Sequence, residues 1–234
     1  VFGLMVPVDA EPGQVPRDPD DVVAAYERMH GTYLALKAFV QERRQNPGED
    51  LVSHLLSLAD ENGEPLVDDD KALAHMASIT AAGTDTTANL IGYTVRFLTE
   101  RPDLKEEVLA DPDKWELLLE ESLRRSSIAP HLFRFTLADT EIGGVQIPAG
   151  QMVCLNIAAA NSDPDVYPDP LTLDLTREGL TGHLAFGSGR HFCLGAPLAR
   201  PEALTALKTL YARLPALEAG LDAPLEVNPA TPLP

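Results

Sequence analysis

Basic residues are scarce in this 234-residue chain: 18 lysines and arginines stand against 36 aspartates and glutamates, a formal charge of −18. Nucleic acids are held through clustered cations, so this balance excludes a nucleic-acid binder and reads instead as an acidic, solvated surface. Cysteine is scarcer still, with only 2 residues, Cys154 and Cys193. That excludes a disulfide framework and fits a reducing cytoplasm. No uninterrupted apolar run is long enough to span a bilayer, and no signal-peptide pattern opens the chain. The chain also lacks an initiating Met, starting in Val1-Phe-Gly-Leu-Met-Val6, so an upstream portion is expected to be missing. Apolar residues are plentiful at 44%, enough for a globular chain with a sizeable core, in one large domain or two small ones.

Helical signals dominate what is present. Residues 1–20 are rich in proline and aspartate and read as a loop. From Asp18-Pro-Asp20-Asp21 a helix is expected, with Val22, Tyr26, Met29, Tyr33, Leu36 and Val40 as one apolar stripe that packs on the core. Asn46-Pro-Gly ends it. A shorter helix is expected over Asp50–Ala59, a turn at Glu61-Asn-Gly-Glu-Pro65, and a long helix from Asp68-Asp69-Asp70 to about Thr99, stopped by Arg101-Pro102. Its middle, Ala81-Ala82-Gly83-Thr84-Asp85-Thr86-Thr87, suits an isolated helix badly, because glycine and threonine lower propensity and threonine hydroxyls bond back to the previous turn. Such a segment either kinks against a close neighbour or faces something other than ordinary core.

Two further helices are expected, over Asp103–Leu109 and from Asp113 to Ser126. Strand character follows, as a hairpin around Gly143-Gly144 and as the apolar run Met152–Ile157, where Cys154 reads as a small buried hydrophobe. The irregular, proline-punctuated stretch from Ala160 to Gly182 is long enough to suggest a functional role. It leads into Leu184-Ala-Phe-Gly-Ser-Gly-Arg-His-Phe-Cys193-Leu-Gly195, after which a final helix runs to Arg213. Glycines 187 and 189 permit positive φ there, and the following helix start, with Pro197 in its first turn, favours a thiolate at Cys193. A stabilised thiolate is a nucleophile, a redox thiol or a metal ligand, and the loop alone leaves all three open.

Three motifs in fixed order narrow the choice. The cysteine loop has the form Phe-x-x-Gly-x-x-x-Cys-x-Gly at Phe186, Gly189, Cys193 and Gly195. Upstream, Ala82-Gly83-x-Asp85-Thr86-Thr87 lies in the long helix and Glu121-x-x-Arg124 in the helix before the strands. The last pair, like Glu120 with Arg124, also reads as an ordinary surface ion pair. Together with Asn161-Ser-Asp163-Pro164 and Tyr167-Pro-Asp-Pro170, the set resembles the cytochrome P450 family of haem-thiolate monooxygenases, over essentially the whole chain.

The resemblance implies a mainly α fold with a small β portion, residues 1–234 forming one partial haem-binding domain without the family's N-terminal part. It implies haem b with Cys193 as axial thiolate, and Gly187, Gly189 and Gly195 leaving backbone amides near the sulfur. Phe186 would line the same cofactor site. Asp85 and Thr86 match the acid–alcohol pair that holds dioxygen and relays protons. Glu121, Arg124 and Arg177 match a structural Glu-Arg-Arg set, and Arg134 and His191 stand where relatives hold the haem propionates. Ser78, Ile79, Ala82, Ile128 and Leu132 would face substrate, though core packing accounts for them nearly as well. Arg190 and Arg200 flank the cysteine where relatives dock a ferredoxin or flavodoxin. The implied activity is insertion of one oxygen atom from O2 into a small hydrophobic molecule, such as a secondary metabolite, in the cytoplasm. The competing expectation is a non-catalytic fragment that does not retain haem. A thiol hydrolase or redox enzyme built on Cys193 lacks a resolving cysteine and a base with its orienting partner, and Asp85-Thr86 argues against a peroxide-driven relative.

Three departures from the family pattern stand out. The chain ends at Pro229-Ala-Thr-Pro-Leu-Pro234 where relatives continue into a hairpin, Ser162 replaces an arginine, and Pro201 falls inside the last helix, so that helix is either kinked or starts later.

Overall fold

The computed structural model describes residues 19–218. Of the loop expected over residues 1–20, Pro19 and Asp20 already belong to the first helix, while residues 1–18 and the departure at Pro229–Pro234 lie outside the described residues, as does the side chain of Val22. The fold is mainly helical with two small antiparallel sheets: α1 (Pro19–Gln45), α2 (Leu51–Ser57), α3 (Asp69–Glu100), α4 (Pro102–Ala110), α5 (Lys114–Ser126), β1 (His131–Phe135), β2 (Thr140–Ile142), β3 (Val145–Ile147), β4 (Met152–Asn156), α6 (Ile157–Ala160) and α7 (Ala196–Arg213). These fall into two compact units whose division lies within α3, between Thr84 and Asp85.

In the first unit, capping chemistry sets the element bounds. Asp50 Oδ1 accepts the Ser53 amide at 2.8 Å to start α2, and Asp68 Oδ1 accepts the Lys71 amide at 2.8 Å to start α3. Between them, Asp60 Oδ1 accepts the amides of Asn62 and Glu64 and forms the expected turn. Val40, Val52, Leu56, Val67, Ala72 and Leu73 make a small core. Arg44 braces it by donating to the carbonyls of Leu56 and Val67, both at 3.3 Å, and to Asp69 at 2.8 Å. The α1 stripe is only partly core: Val40 is 1% exposed, but Tyr26, Met29 and Tyr33 are exposed at 59%, 37% and 44%. The reason is length, since α2 has 7 residues and covers only the last turns of α1.

The second unit is built round α5. It packs on α4, α6, α7 and the 3-10 turn Leu180–Gly182, and residues Leu118–Arg124 are buried without a break. Its apolar side chains Trp115, Leu118, Leu119 and Leu123 join Leu90, Leu98, Leu104, Val108, Ala203, Leu207 and Tyr211 in one core. Strand β1 pairs with β4, Phe133 opposite Cys154, and β2 pairs with β3 across Gly143 and Gly144, both at positive φ.

One expectation fails in this region, and one alternative is removed. The run at Met152–Asn156 is a strand, but an exposed one, and Cys154 is exposed with it. Pairing with β1, a strand the sequence pattern does not announce, satisfies its backbone without a second layer over its faces. Helix α7 does not start late either: it begins at Ala196 and carries Pro201 inside it, so one helical hydrogen bond is missing on an exposed side. Replacing Pro201 by alanine is expected to raise the free energy of unfolding by roughly 1–3 kcal/mol, read from urea denaturation; an unchanged or lower midpoint would show that the helix depends on the proline ring.

Candidate active site

The cysteine loop is closed by its own backbone. The Cys193 amide donates to the Phe186 carbonyl at 2.9 Å, the Gly187 amide to Leu184 at 2.9 Å, and the Phe192 amide to Gly189 at 3.0 Å around a 3-10 turn, Gly189–His191. Gly187 and Gly189 take φ of 73° and 71°, values that only glycine adopts at low cost. The Gly187 amide is used within the loop, on the Leu184 carbonyl. Gly195 has an ordinary φ of −79°, and a Cβ there would sit 3.8 Å from Cys193 Sγ, in normal contact. Cys193 itself is free and exposed, just before the first turn of α7 and the positive end of that helix.

Glu121 and Arg124 form a wholly buried pair, each side chain 0% exposed, and not a surface contact. Arg124 donates to both carboxylate oxygens, Nε to Oε2 and NH2 to Oε1, each at 2.8 Å. Its other hydrogens reach the carbonyls of Asn161 at 2.8 Å and Pro170 at 2.9 Å, and the Tyr167 ring lies 5.2 Å from its guanidinium carbon. Arg177 joins at 3.4 Å from Glu121 Oε1 and donates to the carbonyls of Pro168 and Thr172 at 2.6 and 3.1 Å. The irregular stretch is thus held by two arginines that supply the donors its carbonyls need. Asn161, also fully buried, relays this to the loop: its Oδ1 accepts the Leu184 amide at 2.7 Å and its Nδ2 donates to Ser127 Oγ at 3.0 Å.

Glu120 behaves differently from the sequence expectation. It does not pair with Arg124; it pairs with Arg200 of α7 and with His183. Arg200 is therefore committed to an ion pair, leaving Arg190 as the exposed cation of the expected basic flank. Burial pushes the Glu120 carboxyl up, but the hydrogen bonds from Arg200 and His183 and the charge of Arg200 outweigh it and hold the group at about 2. Sequence spacing could not find this set, because its three members lie far apart in the chain and none belongs to a local pattern.

The remaining residues sit as follows. Asp85 and Thr86 lie on the exposed middle of α3, where Thr84 Oγ1 donates to the Thr80 carbonyl at 2.7 Å. Ser78, Ile79 and Ala82 are exposed on the same helix. Leu132 is half-buried on β1, and Ile128, 8% exposed, belongs to the core cluster of the second unit. Arg134 is exposed, donating to the Phe133 carbonyl at 2.8 Å, and His191 is exposed in the loop.

A family model for cytochrome P450 matches residues 17–114 and 115–214. The chain is 42% identical to vitamin D(3) 25-hydroxylase of Pseudonocardia autotrophica over 206 residues, which are 87% of this chain and 50% of that protein. It is 39% identical to 6-deoxyerythronolide B hydroxylase of Saccharopolyspora erythraea over 184 residues, 79% of this chain and 45% of that protein. Among solved structures, substrate-free CYP109E1 from Bacillus megaterium superposes with a TM-score of 0.83 at 29% identity, covering 93% of this chain and 56% of that one. The chain belongs to the cytochrome P450 family, and it spans about half the length of the curated relatives it matches.

That family binds haem, and the residues present suit the group. Among the described residues no cluster of three or more His, Cys, Asp or Glu could hold a bare metal ion. Cys193, an exposed free thiol, would suit a group whose iron asks a single thiolate of the protein. Phe192 and Leu194 beside it are exposed at 51% and 87%, apolar surface of the kind such a macrocycle covers.

Two outcomes follow for the buried charges. Arg124→Ala leaves Glu121 charged and unpaired, so it is expected to cost about 3–5 kcal/mol in urea unfolding; a loss under about 1 kcal/mol would contradict the buried-pair account. For Glu120, the folded value lies below the ordinary 4.5. The stability it contributes is therefore complete above that value and is lost as pH falls toward about 2. Glu120→Gln is expected to flatten the acid limb of the stability–pH curve, and an unaltered limb would count against the assignment.

Proposed function

We propose that this chain is the haem-bearing part of a monooxygenase that inserts one oxygen atom from O2 into a small hydrophobic substrate, drawing electrons from a separate ferredoxin- or flavodoxin-type protein in the cytoplasm. The observation that carries the reading is Cys193: an exposed free thiol at the head of α7, on a loop closed by the hydrogen bond that its amide donates to the Phe186 carbonyl. When bound, haem with a thiolate ligand supplies oxygen activation by electron donation from sulfur. The chain's own residues do the rest. Cys193 is the ligand, and Phe186, Gly187, Gly189 and Gly195 shape the loop under it. Arg134 and His191, both solvent-facing, are the proposed cationic partners of the propionates. Asp85, exposed on α3, would relay protons through water, and the Thr86 hydroxyl would hold the dioxygen substrate. Glu121, Arg124 and Arg177 keep the base of the loop rigid. Ser78, Ile79, Ala82 and Leu132 are the proposed substrate contacts. The names of the relatives, hydroxylases of vitamin D(3) and of 6-deoxyerythronolide B, support hydroxylation of a small organic molecule by this chain too.

A second reading has its own support: the polypeptide spans half of its relatives, and α3 from Ser78 to Thr86 is largely exposed. On that reading the isolated chain carries the ligand loop but does not retain haem. Titration with haemin followed by gel filtration separates the two, stoichiometric co-elution favouring the first. Reduction of the loaded protein under carbon monoxide then tests the ligand. A thiolate-type red-shifted Soret band that disappears in Cys193→Ala is expected; a band without that shift, or one indifferent to Cys193→Ala, sinks the assignment.

A further inference from the structure

Glu120 and Glu121 are neighbours in α5 but serve different partners. Glu121 holds the arginines of the irregular stretch. Glu120 accepts a two-pronged contact from Arg200, Nε to Oε1 at 2.6 Å and NH2 to Oε2 at 2.9 Å, and its Oε2 lies 3.1 Å from His183 Nε2. His183 immediately precedes the cysteine loop, and Arg200 sits in α7 immediately after it. A single carboxylate, 11% exposed, thus grips the chain on both sides of Cys193.

The histidine's chemistry makes this grip directional. The Ala185 amide donates to His183 Nδ1 at 3.2 Å, so Nδ1 must present its lone pair. The proton then resides on Nε2, which donates to Glu120. Both ring nitrogens of a side chain 1% exposed are used, and the position of the carboxylate is passed to the backbone at Ala185. The other arm ends one residue away. The Arg200 guanidinium lies 4.6 Å over the Phe186 ring, and that ring is 6.2 Å from both His183 and Phe192. Phe186 supplies the carbonyl that receives the Cys193 amide. Both arms therefore converge on Ala185-Phe186, the backbone against which Cys193 is registered.

We propose that Glu120, acting through His183 and Arg200, is a positioning residue for the Cys193 thiolate, separate from the Glu121–Arg124–Arg177 set. The carboxylate fixes where the Phe186 carbonyl stands and so how Cys193 is aimed. The proposal rests on Cys193 being the iron ligand, but the clasp belongs to the polypeptide and can be read without haem.

The test is residue-resolved amide hydrogen exchange on the 234-residue chain, comparing wild type with Glu120→Gln and with Arg200→Lys. The lysine variant keeps the charge and loses the fork, which guards against Glu120→Gln failing to fold. Exchange at Cys193 and Ala185 is expected to quicken roughly tenfold, as for loss of one charged hydrogen bond, while core amides of α5 and α7 keep their wild-type rates. Unchanged exchange at Cys193 in the variants overturns the proposal. So does a uniform acceleration through α5 and α7, which would make Glu120 a general stabiliser only. In haem-loaded protein the same variants should lose part of the thiolate-type red-shifted carbonyl band. If wild type shows no such band, the iron-ligand reading fails while the exchange result still decides the clasp.

Discussion

The buried contact between Glu121 and Arg124 is the constraint on which the second unit depends. Two charges taken out of water recover that cost only when every donor and acceptor is matched. A guanidinium offers five hydrogens in a rigid fork, more than one carboxylate can use. The surplus points toward carbonyls, and the chain between Asn161 and Thr172 supplies them. That stretch has almost no regular structure with which to satisfy its own backbone. Arginine and meander are thus mutually necessary: the ion pair would be over-supplied with donors without the loop, and the loop would have orphaned carbonyls without the ion pair. Asn161 extends the same logic by one link, to the amide of Leu184 where the cysteine loop starts.

This dependence explains which parts of the molecule could be read from the residues. Helices α2 and α3 are capped by the side chains of aspartates at their starts, α4 begins with a proline, and the hairpin of β2 and β3 turns on two glycines. Each is decided within a few residues of chain, so pattern alone was sufficient. Strand β1 escaped because its only justification is a partner, β4, some twenty residues on. The α1 stripe and Cys154 were placed inside because their apolar character says nothing about whether a second layer exists to cover them. Val40 has α2 above it; Tyr26 and Tyr33 do not.

The site divides in the same way. Cys193, its glycines and the Glu121–Arg124 pair were visible as short motifs with fixed spacing. Their burial was not, and the pair reads equally well as a surface contact until the meander is folded over it. Glu120, His183 and Arg200 could not be seen at all, being 63 and 80 residues apart in sequence from the carboxylate they share. Arg200 makes the same point: beside the cysteine loop it reads as a docking charge, and its pairing with Glu120 is visible only in the fold.

Ser127, at the end of α5, imposes a restriction of another kind. It holds a left-handed backbone, φ 40°, where glycine would sit more comfortably. Its hydroxyl, however, donates to the Arg124 carbonyl at 3.0 Å and accepts from Asn161 Nδ2 at 3.0 Å. Glycine would relax the backbone and strand the amide of Asn161; a larger side chain would keep neither the turn nor the bond. Local comfort and long-range wiring make opposite demands at this one position, and the repertoire of residues open to mutation there narrows to almost nothing. A site far from any chemistry thereby becomes one of the least negotiable letters in the chain.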